Sequence, residues 1–485
     1  MILIEYAGEV DFLYDIQGLV RSFFPGIDMT TEPCDMADMV LKVDIGESYI
    51  AFTLKYGETI IRNSDRIDRT DRKDTKNRLK RTLYDVLNEY TGKTLCWGTL
   101  SGIRPTKITT ELLKTGKSDE EIKQYIKKEY YLSDKKADLS IRISKQELEI
   151  LSGIDYKNGY SIYIGIPFCP SRCAYCSFTS YPLNIYSKKT DAYVEALIKE
   201  LDFIADNYKG KTLNTIYIGG GTPTTLEPHQ SDRLLKHIEE RFDLSGVKEF
   251  TVEAGRPDSI TKEKLEVLRR HPVTRISVNP QTMNENTLRV IGRNHTVERF
   301  YEAFSLARSC GFDNINVDLI VGLPGEGPAE IRHTMEKISE LLPDSVTVHS
   351  LAIKRAARLN TSKTDFSGYT SVNNEEIMEL TATYAKEMGM VPYYLYRQKN
   401  MTGNLENVGY GKPGKEGIYN ILIMEEKQSI IGAGAGAATK MVFPEQTDGM
   451  RIQRIENVKD VDCYIDRIDE MIGRKQKFID EYGCC

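Results

Sequence analysis

Hydrophobic and polar positions in the middle of the chain repeat with a regular texture. Short apolar, β-rich runs recur at 160–166 (YSIYIGI), 215–221 (TIYIGGG), 249–255 (EFTVEAG), 275–281 (RISVNPQ), 314–322 (NINVDLIVG) and 345–353 (SVTVHSLAI). Stretches with helical period lie between them, as at 191–208 and 297–311. Strand–helix alternation of this kind predicts a parallel sheet. The runs are apolar on both faces, as a sheet covered by helices requires. Six units are too few for a full eight-fold barrel, so the expected fold class is α/β with an open, partial (β/α)6 barrel. Chemistry in such folds gathers at the C-terminal ends of the strands.

The flanking regions have their own patterns. Residues 1–92 predict a small α/β domain. An apolar start (MILIEYA) precedes a helical pattern at 9–23, then two alternating strands, MVLKVDI and SYIAFTLKYG. Leu79, Leu83, Val86 and Leu87 fall at helical spacing within 73–90. Residues 93–154 read as a linker, CWGTLSGIRPTK (96–107), followed by charged helices near 118–130 and 133–152. The barrel is expected over 155–365 and a C-terminal α+β region over 366–485. That last region holds a helix at 372–388, the stretches YYLYRQKN and YNILIM, a glycine-rich IIGAGAGAATK, and a charged helix near 457–481.

Composition narrows the class. In 485 residues, 40% are hydrophobic and 28% charged, ordinary for a soluble globular protein. The net charge of −6 gives no sign of a nucleic-acid or membrane surface. No apolar run has the length of a membrane span, and the N-terminal stretch meets Glu5 too early for a signal peptide. A cytoplasmic location is expected. In that compartment nine cysteines argue against a disulfide framework, and a tight group of them argues for a metal or redox site.

Such a group exists in FCPSRCAYC (168–176), just after the first barrel strand. Cys169, Cys173 and Cys176 are spaced Cys-x3-Cys-x2-Cys, with Tyr175 before the last. Three thiolates can each bind one iron of a cubane. The fourth iron then has no protein ligand and can take something else. A zinc knuckle or three buried thiols are the alternatives. Zinc would need a fourth ligand, and no His or Cys follows within thirty residues.

With these cysteines the sequence resembles the radical S-adenosylmethionine (SAM) enzymes. Within them, about residues 155–440 resemble the oxygen-independent coproporphyrinogen III dehydrogenase group and its longer Gram-positive-type relatives. The resemblance implies a [4Fe–4S] cluster on Cys169, Cys173 and Cys176, with SAM chelated at the open iron. It implies a 5′-deoxyadenosyl radical that takes hydrogen from the substrate, and a low-potential one-electron donor of flavodoxin or ferredoxin type. GGGTP (219–223), with Gly220 and Gly221, resembles the segment that holds the methionyl end of SAM. Its glycines would let backbone N–H groups meet a carboxylate, although a glycine run alone is most often a turn. Glu253 at the third strand end is assigned to the ribose hydroxyls, against the alternative of a solvated strand-end charge. Gln281, Arg293 and Asp318 are carried to a second SAM molecule, with Tyr175, Gly221, Thr222 and Ala352 beside it. Asp318 lies inside an apolar strand, where a charge needs a partner or a task. Tyr163 resembles the tyrosine near the sulfonium, the one catalytic assignment, though an ordinary strand tyrosine would look the same. In GAGAGA (432–437), Ala435 is mapped to the stretch that closes over the adenosine.

One position departs from the pattern. The decarboxylating enzymes carry a further cysteine two residues after the third, where this chain has Phe178. Phe also stands there in relatives regarded as haem-delivery chaperones. The N-terminal extension, GIRPTK and YYLYRQKNMTGNLENVGYG (393–411) resemble instead the longer dehydrogenase-like relatives. The expected reaction is oxidative decarboxylation of two propionates of coproporphyrinogen III, giving protoporphyrinogen IX in haem biosynthesis. The rivals are a haem-binding trafficking protein without turnover and a radical SAM enzyme acting on haem. Arg397, Lys399 and Asn400, after Tyr393, Tyr394 and Tyr396, could receive a tetrapyrrole edge, as could Lys354, Arg355 and Arg358. A solvated, charged loop is the equal alternative in both places. Arg104 and Lys107 are guessed to cap the site. Cys484 and Cys485 read as a tail rather than late ligands.

Overall fold

Alternation along Met39–Ile45 buries Met39, Leu41 and Val43 and leaves Lys42 to solvent, the two-residue period of a half-covered strand. The same pattern builds a five-stranded sheet from β1 (Ile2–Tyr6), β2 (Met29–Thr30), β3 (Met39–Ile45), β4 (Tyr49–Tyr56) and β5 (Thr59–Arg66). Their order is β2-β1-β3-β4-β5. Helices Leu13–Phe23 and Arg72–Thr91 pack on it through Ile16, Leu19, Phe23, Leu79, Leu83 and Leu87. The computed structural model describes all residues except 8–9, 103, 353–356, 358, 360–365, 367, 399–400, 444–450 and 484–485, and the side chain of 402.

This sheet lies in a compact unit made of Met1–Lys145 and Tyr396–Glu406; the second unit is Gln146–Leu395 with Asn407–Cys485. Helices Thr106–Lys114 and Asp119–Tyr130 group with the N-terminal sheet. Strands from before and after 365/366 hydrogen-bond into one sheet.

That second sheet has eleven strands. Six come from the apolar runs: β6 (Gly159–Ile166), then, after the short β7 (Phe168–Cys169) and β8 (Tyr181–Pro182), β9 (Thr212–Gly220), β10 (Glu249–Gly255), β11 (Arg275–Val278), β12 (Ile315–Val321) and β13 (Ser345–Ser350). These six lie side by side in chain order, all parallel. Parallel neighbours need a crossover. Helices Thr190–Asn207, Pro228–Arg241, Lys262–Arg270, Val297–Ser309 and Pro328–Leu341 supply the five crossovers. The expected α/β partial (β/α)6 barrel is therefore present. The remaining strands are β14 (Val391–Tyr396), β15 (Asn407–Gly411), β16 (Ser429–Ala433), β17 (Ala438–Val442) and β18 (Ile452–Glu456). β15 pairs antiparallel with β13 and β16 pairs parallel with β6, so the C-terminal residues extend both edges of the barrel.

Two expectations change in detail. The run 275–281 is strand only to Val278; Gln281 then takes a left-handed φ of 71°. The helix near 457–481 is two helices, Val461–Asp466 and Ile468–Tyr482, broken where Arg467 leaves helical geometry at φ −116°, ψ 26°. Among the described residues no helix is long and apolar enough to cross a membrane.

In β6, β9, β10, β12 and β13 a polar residue interrupts otherwise near-complete burial. These residues are Tyr163, Tyr217, Glu253, Asp318 and His349.

Candidate functional site

The cysteine loop is built against the second strand end. The Gly221 amide donates to the Ile166 carbonyl at 2.7 Å, and the Thr222 amide to the Phe168 carbonyl at 2.7 Å. A Cβ at position 221 would lie 2.5 Å from the Phe168 oxygen and 2.9 Å from that of Ile166. Only glycine allows backbone to approach so closely. The pairing of β7 with β8 and the Ala174 amide, 2.8 Å from the Ile291 carbonyl, hold the loop further along.

Cys169, Cys173 and Cys176 are close enough for each of the other two thiols to bear on the ionisation of Cys169. Burial pushes the Cys169 thiol up to about 11, opposed by the Thr222 hydroxyl, 3.6 Å from its sulfur. Burial likewise raises the Cys176 thiol. The sulfurs face buried cations: Arg256 Nη1 lies 3.7 Å from Cys173 Sγ, and Arg293 is 5% exposed. Among the described residues no three His, Cys, Asp or Glu side chains are arranged to hold a single metal ion. A cubane makes no such demand, since each cysteine takes a different iron. Three sheltered thiols backed by positive charge therefore fit an anionic iron–sulfur cluster.

Beyond the loop, polar groups run across the barrel interior. The rings of Tyr163 and Tyr217 stack with centroids 6.2 Å apart, and Tyr217 stacks on Tyr419 at 4.5 Å. The Tyr217 hydroxyl donates to Glu253 Oε1 at 2.5 Å, and the Gly220 amide also reaches this carboxylate. Burial pushes the Glu253 carboxyl up to about 7, against the pull of Tyr217 and with the help of Asp318. Asp318 accepts from Asn279 at 2.8 Å and from Asn316 at 2.7 Å, and His349 lies 3.8 Å away. Burial opposes its charge, but His349, then Asn316 and Thr347, outweigh it and its pKa is lowered.

The other expected residues gather around this row. The Gln281 amide donates to the Asp318 carbonyl at 3.1 Å, and its own carbonyl accepts from Ile320. A left-handed glutamine is a strained backbone of the kind found at functional sites. Arg293 donates to the Tyr175 hydroxyl at 2.8 Å and to the Asn279 carbonyl at 2.6 Å; its Nε has no partner among the described residues. Ala435 is 7% exposed, and its amide donates to the Tyr193 hydroxyl, which donates in turn to Gly165 O. Ala352 is half-buried just past β13.

Arg397 belongs to the N-terminal unit. It is 3% exposed there, donating to Leu100 O and, at 2.6 Å, to Asn404 Oδ1, with its guanidinium 5.8 Å from the Trp97 ring. Its terminal nitrogens are engaged within that unit, and its burial does not match the alternative of a solvated, charged loop. Arg104 and Lys107 lie in the same unit, beside and within the first turn of Thr106–Lys114. Lys354, Arg355, Arg358, Lys399, Asn400, Cys484 and Cys485 lie outside the described residues. The sequence reading passed over Tyr217, Arg256, His349 and Tyr419. Tyr217 and His349 were legible as polar positions within three residues of the C-terminal end of an apolar strand; Arg256 directly follows a strand-end glycine.

Comparison with known proteins agrees with this architecture. Residues 163–338 match the radical SAM superfamily. The oxygen-independent coproporphyrinogen-III oxidase-like protein HemZ of Bacillus subtilis is 38% identical over 96% of this chain and 95% of its own. The haem chaperone HemW of Lactococcus lactis is 34% identical over 57% of this chain and 69% of its own. In fold, the chain is similar to the coproporphyrinogen III oxidase HemN of Escherichia coli, with a TM-score of 0.52 at 23% identity, over 67% of this chain and 73% of that one. Its cofactors are those of the superfamily, a [4Fe–4S] cluster and S-adenosylmethionine. The chain belongs to the radical SAM superfamily and, within it, to the oxygen-independent coproporphyrinogen-III oxidase-like family.

Proposed function

We propose that this protein is a radical SAM oxidoreductase that converts two propionate side chains of coproporphyrinogen III to vinyl groups. The product would be protoporphyrinogen IX, made in the cytoplasm. The observation that carries this reading is the length of the match. Likeness to an oxidase-like relative runs through 96% of the chain, N-terminal unit included, whereas the haem-chaperone match covers 57%.

In this reading Cys169, Cys173 and Cys176 hold the cluster, and the bound cofactors supply a strong hydrogen-atom abstractor. The Gly220–Thr222 turn, pinned to the cysteine loop, offers backbone to the amino-acid end of SAM. Glu253 takes the ribose hydroxyls, with Tyr217 and the Gly220 amide holding its carboxylate in place. Tyr163 stands beside that turn, with its hydroxyl 3.4 Å from where a Cβ at position 220 would be. Gln281, Arg293 and Asp318, with Tyr175 and Ala352, form a second subsite for SAM, and Ala435 closes the adenosine end. Loss of a hydrogen atom from the propionate β-carbon leaves a carbon radical. Release of CO2 and one electron, to an external acceptor, then leaves the vinyl group. No side chain has to act as a base. A low-potential flavodoxin- or ferredoxin-type protein would reduce the cluster.

A second reading has its own support. Phe178, mostly exposed, stands where the decarboxylating enzymes have a further cysteine, and haem chaperones are among the relatives. Anaerobic turnover with coproporphyrinogen III, SAM and a reductant separates the two. Successive losses of CO2 by mass and release of 5′-deoxyadenosine are expected. Tight haem binding with no vinyl product would establish the trafficking role instead.

A further inference from the structure

A bulge in β10 aims one more side chain at the cysteine loop. Its register against β11 shifts between Glu253 and Gly255, and Gly255 sits at φ 59°, a left-handed conformation that favours glycine. Bulges of this sort re-aim side chains near functional sites. Here the turn sends Arg256 inward, where it is 4% exposed. Its fork is divided. Nε and Nη2 donate to Asp258 Oδ1 and Oδ2 at 2.9 and 2.6 Å. Nη1 lies 3.0 Å from the Ser171 carbonyl, 2.9 Å from Ser171 Oγ and 3.7 Å from Cys173 Sγ. One rigid guanidinium therefore holds the loop through its backbone, through a hydroxyl and through a thiol. An ammonium, as a point charge, could not span these partners.

We propose that Arg256 is a positioning residue that locks the cysteine loop and raises the reduction potential of the cluster held there. The inference rests on Cys169, Cys173 and Cys176 being the ligands. The potential of an iron–sulfur cluster answers to nearby charge and to hydrogen bonds on its sulfurs. Reduction adds an electron, so a buried cation beside Cys173 favours the reduced form. Asp258 moderates that charge. Without Arg256 the buried cation beside Cys173 is lost, and the potential would fall.

The test is an anaerobic redox titration of the reconstituted full chain, followed by electron paramagnetic resonance. In Arg256→Met the ratio of reduced to oxidised cluster at a fixed solution potential should fall about tenfold, equal to ~59 mV for one electron. Asp258→Asn should move the ratio the opposite way. Arg256→Lys keeps the charge and should stay near the wild-type potential, while losing iron to a chelator faster because the fork on Ser171 is gone. An Arg256→Met protein with full iron content and an unchanged potential would overturn the proposal. If that variant cannot be loaded, an unchanged potential in Asp258→Asn would overturn it. If the wild-type chain itself takes up no four-iron cluster, the ligand assignment has failed and the inference falls with it. Iron content tells the two failures apart.

Discussion

The Tyr217 hydroxyl donates to Glu253 Oε1 at 2.5 Å, joining two neighbouring parallel strands across the barrel interior. Burial raises the Glu253 carboxyl from 4.5 to about 7, and the tyrosine opposes that rise. The folded protein therefore binds the proton more tightly than the unfolded chain. Stability of the ligand-free protein should fall as pH climbs from about 4.5 to about 7, then level, by on the order of 3 kcal/mol. Denaturant melts of wild type and Glu253→Gln across that window measure the difference, and the glutamine variant should lack this component.

The same carboxyl sets a binding profile. In the proposed reading Glu253 accepts from both ribose hydroxyls, which only its ionised form can do, so SAM affinity should rise with pH through a midpoint near 7. In Tyr217→Phe the opposing hydrogen bond is gone and the midpoint should move higher. Calorimetric titration of SAM at several pH values reads both. A wild-type profile flat from pH 6 to pH 8 would remove Glu253 from the ribose.

The cysteines divide sharply. Alanine at Cys169, Cys173 or Cys176 should abolish the cluster's visible absorption and its roughly four irons per chain. Alanine at Cys34, Cys96, Cys310 or Cys463, which stand away from the loop in sequence, should leave both intact. Iron assay after anaerobic reconstitution checks each variant.

Much of this site was legible because strand ends were. Apolar runs of a few residues located β6 and β9 to β13, and position at or just past the end of a strand singled out Cys169, the 219–223 turn and Glu253. Contacts made from far along the chain were not legible. Arg275 gives no sign in sequence that its guanidinium will bind the Lys415 carbonyl and Ser345. Tyr419 lies in an apolar segment, and only the fold stacks it on Tyr217. The aromatic context of Arg397 suggested a flat ligand, but the aromatic partner is the protein's own Trp97. Burial converted an apparent binding group into a structural one.

The close approach at Gly221 can be tested by a single methyl group. In Gly221→Ala the new Cβ would meet two backbone carbonyls, which cannot rotate aside as a side chain can. The turn must move away from the cysteine loop, at a cost of about 1–3 kcal/mol. A lower melting temperature and weaker SAM binding are expected together. Gly153→Ala, whose Cβ would meet only the Ile150 carbonyl at 3.7 Å, is the control and should change neither.

Arg397 offers a contrast between a ligand-binding and a structural arginine. Arg397→Ala strips the donors from the half-buried Leu100 carbonyl and Asn404, beneath a side chain that is itself 3% exposed. A buried polar group left unsatisfied costs about 1–3 kcal/mol, an upper bound for these half-buried ones. Trp97 is the chain's sole tryptophan, and its indole donates to Glu406 at 2.7 Å within the same unit. Its fluorescence therefore reports the folding of the unit in which it lies. In Arg397→Ala the fluorescence transition should shift to lower denaturant, while protein that remains folded keeps the wild-type KM for coproporphyrinogen III, the substrate proposed above. A propionate partner would behave the other way, raising KM and leaving the transition in place.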